Sequence, residues 1–403
     1  MSQTSRNWPV LRIGEVGDVF TGRTPPTERS SYFGNDFPFI TPGDMRQGKY
    51  ARETQRSLSQ EGAELLKRIK LPAKSVCVSC IGWQMGEVVL TDRPSFSNQQ
   101  INTIVPNDEV DASFLYYSLR TRKQELLSLG SATGVRTPIL NKSAFCDTKL
   151  VVPPLPVQQR IAGILSAYDE LIENSQRRIK ILEAMARGLY REWFVHFRFP
   201  GHENHPRVAS ALGEIPKGWE VKKLKDVCRL TMGQSPKSEF YNEVGDGVPF
   251  HQGVTDFGAR FPTDRLFCTA AGRITEAGDI LFSVRAPVGR MNIANKKIIL
   301  GRGLSAIRYN EGSQAFLWEQ LRNRFTKDDM MGNGAIFASV TKDDMQGIGL
   351  VCPTQSVVEA ATKHFEPLHS EIATLSQQIQ NLRRTRDLLL PRLLSGQIDI
   401  GEI

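Results

Sequence analysis

One long segment of the chain occurs twice. When the chain is shifted by 200 residues, 150–194 lies over 350–394 without a gap. "LVVPP" meets "LVCPT", so each copy opens on a short apolar run stopped by proline, the usual boundary between a strand and a following helix. Beyond it the apolar residues of the first copy are Leu165, Tyr168, Ile172, Ile179, Leu182, Ala186, Leu189 and Trp193. With Ser175 included, they recur in alternating steps of three and four, the a/d seam of a heptad pattern. The second copy carries Phe365, Leu368, Ile372, Leu375, Ile379, Leu382, Leu389 and Leu393 in the same register, with Arg386 where the first has Ala186. A helix of about 38 residues is ~57 Å long. A lone amphipathic helix packs on its own domain; two of equal register in one chain predict mutual pairing. The duplication suggests a pseudo-twofold, which makes the pair an antiparallel coiled coil.

The segments between the helices repeat as well. At an offset of 211, "WPVLRIGEVGDVFTGRTP" (8–25) lies over "WEVKKLKDVCRLTMGQSP" (219–236), bringing Gly22 onto Gly233 and Pro25 onto Pro236. At 202, "SFLYYSLR" (113–120) resembles "AFLWEQLR" (315–322). The changing offset means that the globular copies differ in loop length while the helices match residue for residue. The expected order is a first globular domain at 1–153, a central helix at 154–200, a second globular domain at 201–353, and a C-terminal helix and tail at 354–403. Each globular copy reads as α+β, with short strands such as "SVCVSCIG" and "INTIVP" or "DILFSV" and "LSAIRY", then one helix.

The net charge of +8 is unevenly placed. Residues 1–155 carry 19 Lys and Arg against 15 Asp and Glu, and 195–353 carry 21 against 17, so each globular part is +4. The helices are near neutral, at +1 and −1. Two basic domains on neutral rods point to a polyanion, with double-stranded DNA the leading candidate. A mildly basic protein with no such partner fits the charge equally well. The six cysteines show no disulfide spacing, which suits reduced thiols in a cytoplasmic protein. No apolar run approaches a membrane span, and no leader pattern opens the sequence.

Loops that combine donors with glycine supply the candidate DNA contacts. In the first copy these are Arg23, Thr24, Thr41, Arg46, Gln99, Gln100, Ser131, Thr133 and Arg136. In the second they are Gln234, Ser235, Lys237, Gln252, Arg285, Arg302 and Asn333. Arginine suits guanine edges, glutamine and asparagine suit adenine, and hydroxyls suit phosphates. Singly, each is as readily a solvated loop side chain; the set is what points to DNA.

No catalytic constellation accompanies them. GxxxxGK[ST], GxGxxG after a strand, and HExxH are all missing from the sequence. Cys77 and Cys80 form a CxxC with no second pair, inside an apolar run that reads as a buried strand. No metal site is expected. The Asp pairs of the repeated "TKDDM" read as helix starts.

"LVVPPLPVQQRIAGIL" (150–165), "LYREWFVHFRFPG" (189–201), "GEIPKGWEVKKLKDV" (213–227) and "LLLPRLLSGQIDI" (388–400) resemble the specificity subunits of Type I restriction–modification systems, over essentially the whole chain. The distal "TQSVVEAATKHF" departs from its central counterpart. The resemblance implies two target recognition domains, each reading one half of a split, asymmetric DNA site, with the helices setting the unread gap. It also implies a non-catalytic role in host defence. Two methyltransferase subunits would dock on the helices with S-adenosylmethionine and methylate adenine; restriction–translocase subunits would add ATP- and Mg-dependent cleavage. Two alternatives stay open: a self-sufficient DNA methyltransferase or nuclease, for which "VPPL" (152–155) lacks the required amide or carboxylate, and a coiled-coil scaffold that binds DNA without sequence preference.

Overall fold

The computed structural model describes residues 8–46, 48–131, 137–325, 339–398 and 400. The chain divides into two compact units, Met1–Ser175 with Gln378–Ile403, and Gln176–Gln377. The repeated segments are helices at Leu155–Tyr190 and Gln355–Leu394. Each unit therefore takes part of both long helices, where the sequence reading divides the chain at the proline stops. The first helix ends short of the expected 200. A π-helical stretch, Arg191–Val195, follows Tyr190, Phe197 turns into the left-handed region at φ 59°, and Pro200 lies just beyond.

The globular part of the first unit holds two small sheets. One orders Gly17–Thr21, Ile101–Pro106, Val76–Ser79 and Val88–Leu90, all antiparallel. The other orders Phe33–Gly34, Arg56–Leu58, Phe37–Ile40 and Phe96–Ser97, the last pair parallel. The second unit builds the same first sheet from Cys228–Met232, Leu304–Tyr309, Ile280–Ser283 and Met291–Ile293. Its other sheet runs Tyr241–Asn242, Phe267–Cys268, Val248–His251 and Ile298–Leu300, with Ile274–Thr275 added at the edge. In both units a strand pair closes the domain where it joins its helix: Val10–Arg12 with Lys149–Val151, and Glu220–Lys223 with Gly349–Cys352. The duplication is thus a duplication of topology, and β-branched runs that alternate or are wholly buried supply its strands.

One expected helix of the first copy is two. Asp111 caps Ala112–Arg120 by accepting from the Phe114 amide, and Thr121 then bonds back to the Ser118 carbonyl. That local hydroxyl bond competes with continuation, and a second helix starts at Lys123. The second copy forms Gln314–Phe325. The second "TKDD" does start a helix: Thr341 and Asp344 form a reciprocal capping box. The first "TKDDM", at 326–330, lies outside the described residues.

Every seam residue named from the sequence is buried or half-buried. In the first unit Ile161 and Leu165 share a core with Leu390, Leu393 and the helix residues Phe114 and Tyr117. In the second, Ala186, Tyr190 and Phe194 pack with Phe365 and Phe316. Arg386, the polar break in the seam, is buried on Asp169 in the first unit.

Candidate nucleic-acid interface

The loops at one end of each four-stranded sheet gather most of the residues expected to contact DNA. Pairing puts Thr21 opposite Asn102 and Ser79 opposite Ile101, so the loops at 22–24, 98–100 and 80–87 emerge together. The second sheet adds Thr41, because the Asn98 amide donates to the carbonyl of Ile40, one residue before it. A glycine makes the crossing possible: a Cβ on Gly22 would sit 2.2 Å from the Asn98 carbonyl oxygen, and one on Gly233, its counterpart, 2.1 Å from that of Gly301. Thr24 donates to the Gln99 side chain at 2.7 Å, and buried Asn98 donates to that of Gln100 at 3.0 Å. Two adjacent amides are thereby held in set orientations at the rim. The Thr41 hydroxyl is engaged within its loop, donating to Asp44 at 2.6 Å, and Asp44 also accepts from the Gln55 amide. Arg46 closes the short turn after Thr41, and Ser131 ends the helix after Lys123. Thr133 and Arg136 lie outside the described residues.

The second unit forms a cleft of about 210 Å³ at the corresponding end, lined by Gln252, Ser283, Arg285 and Arg302 with backbone from Gly253 and Gly303. Ser235 joins it by accepting from the Arg302 amide at 3.1 Å, and Gln234 begins the same loop. Beneath, fully buried His251 meets Asp264 at 3.2 Å, and Asp264 also takes Lys296. Lys237 stands apart, 3.8 Å from Glu239. Asn333 lies outside the described residues.

Among the described residues, Arg23, Arg46, Arg285 and Arg302 make no ion pair. Unpaired guanidiniums beside oriented amides suit phosphates and base edges. Trp83 was missed by the sequence reading. It is 70% exposed in the turn between Val76–Ser79 and Val88–Leu90, at the same end as Gln99. The glycine-flanked "GWQMG" between two apolar runs was the available signal.

Cys77 and Cys80 are both buried, and burial pushes each thiol up to about 12, which keeps them protonated and unreactive. Among the described residues no group of His, Cys, Asp and Glu is placed to hold a metal, and no helix is long and apolar enough to cross a membrane.

Two copies of one fold, each presenting cations and amides from loops at the same sheet end, define a duplicated recognition module. The chain belongs to the Type I restriction modification DNA specificity domain family, whose model matches it twice, over 5–184 and 216–383. Each match takes in a globular part and most of the helix that follows. The chain is 31% identical over 325 residues to a putative type I restriction enzyme MjaX specificity subunit of Methanocaldococcus jannaschii, covering 78% of this chain and 76% of that one. It is 26% identical over 425 residues to the MjaIX specificity subunit of the same organism, covering 99% and 95%. The crystal structure of a Type-I restriction-modification system S subunit from M. genitalium shares the fold, with a TM-score of 0.64 at 18% identity over 98% of both chains.

Proposed function

We propose that this chain is the DNA sequence-recognition subunit of a type I restriction–modification complex and that each globular domain reads one half of a bipartite, asymmetric site. The observation that carries this is the recognition edge built twice, on the same strands, from different loop residues: Thr24, Gln99 and Gln100 in one copy, Gln252, Arg285 and Arg302 in the other. Equal folds with unequal edges are what two different half-sites require.

The two long helices pair as an antiparallel coiled coil and set the unread spacer. Supporting this, within the second unit Arg178 meets Glu371 and, further along, Trp193 meets His364, so residue numbers rise along one helix as they fall along the other. The helices also dock two methyltransferase subunits, which bring S-adenosylmethionine and methylate adenine. Restriction–translocase subunits add cleavage using ATP and Mg. The chain itself is non-catalytic, and thiols as protonated as Cys77 and Cys80 offer no nucleophile.

The test is binding by the chain assembled with its methyltransferase. A random duplex library should yield one split motif. Enrichment of no sequence, with affinity that merely falls with salt, would return the protein to the non-specific scaffold reading. Inserting about one helical turn near Arg177 to Lys180 should change the preferred spacer while leaving both half-sites intact.

A further inference from the structure

In both units the loop that starts at the recognition edge ends, eight residues later, on a cation drawn in from solvent, half-buried in the first unit and buried in the second. In the first unit it runs from Thr41 to Lys49. The Lys49 carbonyl accepts from the Leu90 amide, and its ammonium donates to the Ser166 hydroxyl on the long helix at 2.7 Å. That ammonium lies 5.9 and 5.1 Å from the ring centres of Tyr116 and Tyr117, and the Tyr117 hydroxyl donates to Asp169 on the same helix at 2.6 Å. In the second unit the loop runs from Gln252 to Arg260. The Arg260 carbonyl accepts from the Ile293 amide, which ends the strand equivalent to the one ending at Leu90. Its guanidinium lies 5.0 Å over Trp318 and donates to His369 Nδ1 on the other long helix at 2.6 Å; His369 Nε2 faces Glu319 at 3.0 Å.

These are the same positions. Lys49 and Arg260 differ by 211, Tyr116 and Trp318 as well as Tyr117 and Glu319 by 202, and Asp169 and His369 by 200, the three offsets of the duplication. The residue types have diverged while the arrangement has not: a cation from the recognition loop, an aromatic ring beneath it, and a polar residue of the spacer helix behind. Among the described residues neither cation bonds a carboxylate directly, and burial holds the Arg260 guanidinium down to about 10. Burying such a group is unfavourable without a geometric return. The return here is a loop with one end at the recognition edge and the other fixed on the spacer helix.

We infer that Lys49 and Arg260 are positioning residues for sequence recognition, each pinning the recognition loop of its own domain to the spacer helix. This rests on the reading of the chain as a two-domain DNA reader. The two pins differ in one respect. A guanidinium only donates, so His369 must present a bare Nδ1 and carry its proton on Nε2. A proton on Nδ1 removes the acceptor and sets an imidazolium against Arg260, with Glu319 and Glu366 partly opposing that repulsion; Arg260 itself also faces Glu183, Glu319 and Arg322. Burial already holds the His369 imidazole below its ordinary value. Acid therefore loosens the second pin, whereas the first contains no imidazole.

The experiment is competition binding by the chain–methyltransferase complex, with duplexes altered in one half-site at a time. Lys49→Met should lower discrimination about tenfold or more in the half read by the first domain and leave the other unchanged; Arg260→Met should do the reverse. Lys49→Arg and Arg260→Lys should retain most of it. In the unaltered complex, lowering pH from 7.5 to 5.5 should blunt only the second half, and His369→Asn, which keeps an acceptor that does not titrate, should flatten that response. Equal losses in both halves, or none, overturn the inference, because a merely structural role would not sort by half-site. If either Met variant fails to assemble, the pH comparison on the unaltered complex decides. An unaltered complex that reads no bipartite site overturns the functional reading itself, a result distinct from intact reading with unmoved half-sites.

Discussion

Asp169 shows how a single residue ties the first unit together. It accepts from Tyr117 and from Arg386, whose side chain is 8% exposed, and Arg386 also reaches Asp387. Removing one member of a buried pair costs about 3–5 kcal/mol when the other charge is left uncompensated, and Asp387, which keeps its bonds to Arg386, holds the loss below that range. Asp169→Ala should therefore lower the urea midpoint markedly, and Arg386→Met on top of it should recover part of the loss. An additive or larger loss in the double variant would show that the pair is not coupled. His369 makes a second prediction. Its folded-state affinity for a proton is lower than that of the unfolded chain, chiefly through burial, so its contribution is complete above the ordinary value of 6.5 and is lost as pH falls below it. Urea midpoints should drop between pH 7 and 5.5, less steeply in His369→Asn. The sequence marked Arg386 only as a break in an apolar seam. Its partner is 217 residues away, beyond the reach of any periodic pattern.

At the scale of elements, the strands and helices were legible because each carries its own pattern: whole apolar runs for Val76–Ser79 and Ile280–Ser283, heptad steps for the long helices. What was not legible came from local chemistry that periodicity ignores. Thr121 ends one helix by a hydroxyl bond, and a π-helical stretch with left-handed Phe197 stops the central rod early. The repeated glycines were visible as matches, but their reason is spatial. With a neighbouring carbonyl within 2.2 Å of any added Cβ, Gly22→Ala and Gly233→Ala should each force the strand end away from the next loop. The expected cost is about 1–3 kcal/mol, read as a fall in thermal midpoint. Each should also weaken reading of its own half-site. An unchanged midpoint would mean that the crossing tolerates a methyl group.

At the scale of the molecule, the plan of two domains and two helices was readable because the helices match without a gap and the globular copies share their strand signals. The candidate loop residues are brought together by the fold: Thr24, Gln99 and Gln100 converge in one copy, and Gln252, Arg285 and Arg302 in the other. Lys237 does not join them, and Trp83 does without having been named. Loops set by distant pairings carry no periodic signal, and the bases they read depend on orientations that spacing alone does not fix. Under the proposed function, one chain reads two half-sites with two separate edges. Mapping methylated adenines across a genome, in cells carrying the partner subunits with and without this chain, tests it most directly. A single split motif should appear only with the chain, and replacement of Arg285 and Arg302 should alter one half of that motif alone. Methylation that persists without the chain, or a motif with no unread gap, would contradict it.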